Sequence, residues 1–326
     1  MPSIAKSHTR LNNSRKNDLD MTSTKLLILI CSITLVISCQ RRQQEAGGIE
    51  SIVEVITNDM DFELPDEIPS GWHTFRYVNN SDVVHFFVFE KMPEGVRIEN
   101  YRNELLPPFL KSFQYLDSGN TMAGMKEFGK FPKWFGKIEY MGGIGLTSPK
   151  STTECTLYLE PGIYVLECYV RLPNGVAHAF VGMTKELVVT EEENNFIPDH
   201  SDYQISISGS DGITFVENIP PGQYTFSVEF EDQRKYLTLL GHDVHLVKLE
   251  DPTALDSLAY WIDASDVKAF RTPAPRGLIF MGGVQDLPEG RIGYFNASLE
   301  KGEYVLISEI PNAVKRNMFR KFSVTE

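Results

Sequence analysis

The chain has 326 residues, 42% of them hydrophobic, and its 44 acidic side chains outnumber 31 Lys and Arg, for a formal net charge of −13. That length holds two domains of ordinary size, each able to bury its own core. The acidity, with no basic patch interleaved by aromatics, excludes nucleic acid as an expected partner and singles out no ligand.

Residues 1–38 read as a lipoprotein-type signal segment. Lys25 precedes an apolar-to-small run from Leu26 to Ile37, too short to span a bilayer comfortably and of the length of a signal core. Val36-Ile37-Ser38-Cys39 resembles the lipobox of bacterial lipoproteins, whose Cys is lipidated and becomes the mature N-terminus. Residues 1–20 are polar and basic, and Met21 is an alternative start. Residues 39–50, lipidated Cys39 and a polar, Gly-containing stretch, form a flexible tether. One lipid anchor holds a chain at a membrane surface without making it span. The expected location is therefore the cell envelope, facing the periplasm or the exterior.

The remainder repeats itself. Ile68-Pro-Ser-Gly-Trp-His-Thr-Phe75 resembles Ile219-Pro-Pro-Gly-Gln-Tyr-Thr-Phe226, and Tyr140-Met-Gly-Gly-Ile144 resembles Phe280-Met-Gly-Gly-Val284. Leu159-Glu-Pro-Gly-Ile-Tyr-Val-Leu166 resembles Leu299-Glu-Lys-Gly-Glu-Tyr-Val-Leu306, and all three matches run in the same order. Two related domains follow, 51–192 and 203–326, joined by a polar linker near Glu191 to Asp202.

Each copy reads as mostly β. Runs such as His73 to Val78 and Thr225 to Phe230 carry β-branched and aromatic residues between Pro, Gly and Asn. Each copy also carries a helical insertion before its Met-Gly-Gly. In the first this is about residues 97–136, broken by Pro107-Pro108; in the second, Asp251 caps a helix with Pro252 at its first position and Leu255, Leu258, Ala259 and Ile262 on one face. Leu-Glu-x-Gly-x-Tyr reads as a corner between strands, its Tyr bonding back across the turn.

The chemistry concentrates on the loop after the first corner strand. Cys168, His178 and Met183 follow one another with nine and four residues between them. With a second imidazole they are the donors of a trigonal His₂Cys copper site with a weak axial Met. The strand Tyr164 to Cys168 and this loop resemble the cupredoxins, the blue-copper proteins, in which a corner Tyr precedes the copper Cys by four residues. The resemblance covers residues 55–190 well and the second copy weakly. It implies two Greek-key β-sandwich domains and one type 1 copper in the first, held by His85, Cys168, His178 and Met183. Phe86, Phe87 and Phe180 are candidates for its apolar shell, and equally plain core residues. It also implies one-electron transfer or copper handling with a redox partner protein, and no enzyme activity. The His-x-His and His-Cys-His arrangements of catalytic multicopper relatives are missing, Cys168 being flanked by Glu167 and Tyr169.

Two alternatives stay open. Cys155 lies thirteen residues before Cys168 with Pro161-Gly162 midway, so a simple hairpin would let the two form a disulfide. The second reading is a metal-free cupredoxin-like surface module that binds a partner or glycan, with Cys168 a core thiol or half of that disulfide. In the second copy Ser308 stands for Cys168, Arg316 falls near His178, His242 matches His85 and Met318 matches Met183, so no blue-copper site is expected there. His73, His200 and His245 read as structural or surface residues. Phe128, Phe131, Trp134 and Phe135, among Lys126, Lys130, Lys133 and Lys137, read as a lid or as a docking patch for an acidic redox partner.

Overall fold

A computed structural model describes residues 51–236 and 238–326. The signal segment, Cys39 and the tether lie outside the described residues. The first copy contributes β1 (Ile52–Thr57), β2 (Glu67–Asn79), β3 (His85–Lys91), β4 (Glu139–Thr147), β5 (Ser151–Leu159), β6 (Gly162–Glu167) and β7 (Thr184–Glu193). The second contributes β8 (Tyr203–Ser208), β9 (Gly212–Thr214), β10 (Asn218–Ile219), β11 (Gly222–Phe230), β12 (Val244–Leu249), β13 (Leu278–Val284), β14 (Ile292–Leu299), β15 (Gly302–Ile307) and β16 (Phe319–Val324).

These strands form two layers, and both layers run through both copies. One sheet has the order β1-β2-β5-β14-β11-β8-β9; the other runs β10-β16-β15-β12-β13-β4-β3-β6-β7. Within the second sheet β6 lies beside β3 rather than beside its predecessor, so the chain crosses between layers around β5. β2 belongs to both sheets. Its first residues pair with β7 and its remainder with β5, the switch falling between Ser70 and Gly71. Gly71 takes φ +110° there, a backbone state open to glycine at little cost. The second copy splits the same path into β10 and β11. The mostly β, sandwich-type fold expected from the sequence is thus present, and the described residues belong to one compact unit.

The recurring motifs have physical reasons. The second glycine of each Met-Gly-Gly sits where the neighbouring strand is too close for a side chain. A Cβ on Gly143 would lie 2.1 Å from the Phe87 carbonyl oxygen, and one on Gly283 would lie 1.9 Å from that of Val244. Both β3 and β12 shift register beside these glycines, as a bulge requires. The corners close as expected: the Tyr164 hydroxyl donates to the Glu160 carbonyl and that of Tyr304 to Glu300, each at 2.8 Å. A second corner, not foreseen, recurs four strands earlier in each copy. Tyr224 donates to the Pro220 carbonyl at 2.9 Å, and in the first copy His73 Nε2 takes that role toward Pro69 at 2.8 Å.

The first insertion differs from its reading. Pro107 and Pro108 do not break it; they lie in the first turn of a helix, where a proline's missing N–H costs nothing. The order is α1 (Ile98–Asn100), a π-helical turn Tyr101–Leu105, α2 (Leu106–Asp117) and α3 (Thr121–Phe128). Phe109 packs against Phe113, Phe128, Phe131 and Phe135, so this segment is a lid with its own small core. In the second copy α4 (Leu255–Trp261) follows a turn in which Asp251 accepts from the Thr253 amide at 2.9 Å, and Leu258 and Ile262 are buried as read.

Candidate metal centre

His85 opens β3, and its ring enters the sandwich at the sheet end nearest the Cys168–Met183 loop. Cys168 follows the last residue of β6, and the loop beyond it is zipped onto itself. The Ala179 amide donates to the Cys168 carbonyl at 2.9 Å, the His178 amide to Val170 at 2.8 Å and the Met183 amide to His178 at 3.1 Å. His178 heads a 3-10 turn, His178–Val181, and Met183 precedes β7. Long-range register, not sequence proximity, thus fixes where His85 meets the loop.

Three donor atoms converge. Cys168 Sγ lies 3.7 Å from His85 Nδ1 and 3.7 Å from His178 Nδ1, and the two Nδ1 atoms are 3.1 Å apart. The point equidistant from these corners is about 2 Å from each, the length of a metal–imidazole bond and close to that of a metal–thiolate bond. All three residues, and Met183, are fully buried. Burial, helped by the proximity of His178, holds His85 down at about 3, and burial alone holds His178 at about 4. Both imidazoles are therefore neutral over the physiological range, with a lone pair to offer. Burial pushes the Cys168 thiol up to about 12, while the Phe86 and Val170 amides, bonded to its sulfur, pull the other way. Both Nε2 atoms are buried and without a partner among the described residues, so each is free to carry the ring proton when Nδ1 binds a cation.

The donor set fits copper. Two neutral imidazoles and a thiolate in a buried trigonal array suit a metal that cycles between one- and two-plus states. Around it the core is aromatic. Phe86 stacks edge-on against Tyr169 at 4.5 Å, Phe87 against Tyr77 at 5.5 Å, and Phe180 stands half-buried 6.5 Å from Phe113. The disulfide alternative is not realised: Cys155 and Cys168 are both free and buried, Cys155 in β5 of one sheet and Cys168 at the end of β6 in the other.

In the second copy the backbone repeats the loop without its chemistry. The Ser308 amide donates to Met318 and the Met318 amide to Ala313, as those of Cys168 and Met183 do to Met183 and His178. Ala313, not Arg316, therefore holds the place of His178. Arg316 lies three residues on and is exposed, because this loop is five residues shorter. His242 keeps its place but turns to other partners, Tyr236 at 3.2 Å and Asp232 at 3.3 Å.

Sequence reasoning missed a set of buried acids. Asp243 and Glu309, the counterparts of Phe86 and Tyr169, converge with His245, all fully buried, with Nε2 of His245 2.6 Å from Asp243 and 3.6 Å from Glu309. Burial opposes a charged His245 and the carboxylates favour one, with a balance near 9. The Leu146 amide decides otherwise: it donates to His245 Nδ1 at 3.0 Å, which leaves only Nε2 to bear a proton. Nε2 of His245 and the facing oxygens of Asp243 and Glu309 make no well-angled hydrogen bond among the described residues, and the three groups lie close enough together to face one ion. Asp243 also accepts from the Ser308 hydroxyl and the Glu309 amide. The available signal was a carboxylate two residues before a His in an apolar strand context.

No protein-family profile and no curated protein matches the chain. Among solved structures it is similar to dithionite-reduced auracyanin from Roseiflexus castenholzii, 18% identical over 44% of this chain and 99% of that one, with a TM-score of 0.26. Auracyanin A, a blue copper protein from Chloroflexus aurantiacus, is 19% identical over 44% and 100%, with a TM-score of 0.27. A blue copper oxidase from Nitrosomonas europaea covers 85% of this chain and 86% of its own, at 12% identity and a TM-score of 0.23. At such scores the likeness decides neither fold nor chemistry, which rest on the topology and donor set above.

Proposed function

We propose that this chain is an extracytoplasmic, lipid-anchored copper protein that carries one type 1 copper in its first repeat and passes single electrons or handles copper, without catalytic turnover. The observation behind this reading is the triangle of His85 Nδ1, His178 Nδ1 and Cys168 Sγ. When bound, copper supplies a one-electron change with little rearrangement of its ligands.

The chain's own residues do the rest. The two histidines enter neutral, and Cys168 gives up its proton to bind, so loading releases a proton. The Phe86 and Val170 amides hold the thiolate in place, and the zipped loop keeps His178 and Met183 on one rigid turn. Met183 would supply a weak fourth donor, its backbone being bonded to both Cys168 and His178. Burial excludes water from the sulfur, which raises the influence of these bonds on the potential.

Partner docking is assigned to the lid, where Lys126, Lys133 and Lys137 are exposed and would meet an acidic redox protein. Reversing these charges should slow reaction with an acidic partner at low salt and leave it unchanged at high salt. Metal titration tests the central assignment: one copper per chain is expected, and none for Cys168→Ser. Binding of two ions, or unaltered binding by the variant, contradicts it.

A further inference from the structure

The second repeat grips the chain immediately after Cys168. Val170, whose amide is bonded to the Cys168 sulfur, is bracketed by residues tied to that repeat. On one side of it the Arg171 amide donates to the Phe270 carbonyl at 2.9 Å, and the Thr272 amide donates to the Arg171 carbonyl at 2.8 Å. On the other side the Tyr169 hydroxyl donates to the Glu309 carboxylate, and the Tyr169 ring packs edge-on against Phe270 at 5.9 Å. The other amide on the sulfur comes from Phe86, whose ring meets that of Tyr169 at 4.5 Å. Tyr169 therefore touches both residues that donate to the sulfur, one as its chain neighbour and the other ring to ring.

The acceptor of the Tyr169 hydroxyl is itself fixed. Glu309 is fully buried, its amide donates to Asp243 at 3.0 Å and its carbonyl accepts from the Ala264 amide at 3.0 Å. A hydrogen bond in such a low-dielectric setting is electrostatically stronger than one in water, so it holds the Tyr169 ring against rotation. Rotation of that ring would bend both amide bonds to the sulfur, and hydrogen bonds weaken steeply as they bend. Those two bonds aim the positive ends of backbone dipoles at the sulfur. The sulfur is more electron-rich when the centre is reduced, so straight bonds favour reduction and bent ones favour oxidation. Hydrogen bonding at a copper-bound Cys is a lever on the potential for this reason.

We propose that Tyr169, anchored to Glu309 of the second repeat, is a positioning residue that sets the reduction potential of the metal centre in the first. This role rests on the copper reading above and gives the metal-free repeat a part in electron transfer: it supplies the fixed acceptor that keeps the sulfur's two amide donors aligned.

The test is redox titration of the copper-loaded full chain, of Tyr169→Phe and of Tyr304→Phe, with the thiolate-to-copper band reading the oxidised fraction. Tyr169→Phe keeps the ring and loses the bond to Glu309. Its reduction equilibrium should shift about three-fold or more toward the oxidised form, which is about 28 mV at about 59 mV per ten-fold for one electron. Tyr304→Phe loses a corner bond within the second repeat and should leave the potential unchanged; an equal shift there would mean that any loosening suffices, and overturns the role of Tyr169. In a Glu309→Leu background, Tyr169→Phe should add no further shift, since the bond is already gone. The same shift in both backgrounds overturns the proposal. If Glu309→Leu does not fold by circular dichroism, Tyr169→Phe beside Tyr304→Phe decides alone. An unaltered chain without the band overturns the copper reading and this role with it, whereas a band with an unshifted Tyr169→Phe potential overturns this role alone.

Discussion

The Tyr169 hydroxyl donates to the Glu309 carboxylate, and these two residues are each other's counterparts in the two repeats. Ile144 likewise pairs with its own counterpart Val284, and Cys155 with its counterpart Phe295. Residues that meet their own equivalents lie on a two-fold axis, so the repeats join as an isologous dimer fused into one chain. The copper-type ligands lie on one side of that axis, and their degenerate copy on the other.

The join requires close approach of backbones. A Cβ on Gly145 would lie 2.4 Å from the Gly282 carbonyl oxygen, a distance only a main-chain shift can relieve. Gly145→Ala should cost about 2–4 kcal/mol of unfolding free energy, in the upper range of single substitutions. Urea denaturation of Gly145→Ala beside Gly136→Ala, whose Cβ meets nothing within 4 Å, checks it. Equal midpoints would mean that the sheets are not continuous at this point.

Each tyrosine corner should contribute one hydrogen bond's worth of stability. Tyr164→Phe and Tyr304→Phe keep the ring and lose the 2.8 Å bond to Glu160 or Glu300, so each should lower stability by about 1 kcal/mol. The double variant should lose the sum, since the corners belong to different repeats. Thermal and urea unfolding of the three variants measure this, and a loss near zero in either single variant would contradict the corner role.

Glu309 should make stability fall as pH rises. Burial, then the Asp243 charge, raises its carboxyl to about 7 from the usual 4.5. In that window the folded chain holds a proton that the unfolded chain has released, so raising the pH favours unfolding. The penalty is complete once pH passes 7 and amounts to about 3 kcal/mol at most. Asp286, also buried, acts with the same sign. Glu309→Gln should therefore flatten, without abolishing, the decline of unfolding free energy between pH 5 and 7.5. An unchanged slope would show that Glu309 is ionised throughout.

The second repeat should stay free of copper when its thiolate alone is restored. Ser308→Cys places a sulfur where Cys168 has its own, yet Ala313 supplies no imidazole and His242 is held by Tyr236. Copper stoichiometry by elemental analysis should remain one per chain; two would mean that His242 and Met318 suffice.

The convergence of His85, Cys168 and His178 was legible in the sequence because these are rare residue types, two of them spaced on one loop and the third at a strand start. Repeat and corners were legible for a similar reason, since glycine and tyrosine are bound to particular turns. What was not legible depends on the other layer. Asp243, Glu309 and Glu90 look like solvent-facing positions until the fused second repeat and the lid cover them. Arg316 was misplaced because a shorter loop shifts the count, and only the amide of Met318, bonded to Ala313, reveals the register. Pro107-Pro108 marks a helix start equally well as a break, and the preceding π-turn, which no local pattern signals, decides between them.

The most direct measurement is the visible absorption of the purified chain after addition of one equivalent of Cu(II). A thiolate and two imidazoles in a trigonal array should give an intense thiolate-to-copper band that saturates at one ion, bleaches on reduction, and is absent in Cys168→Ser and strongly diminished in His178→Ala. A chain that stays colourless with copper bound, or a band that persists without Cys168, would contradict the account.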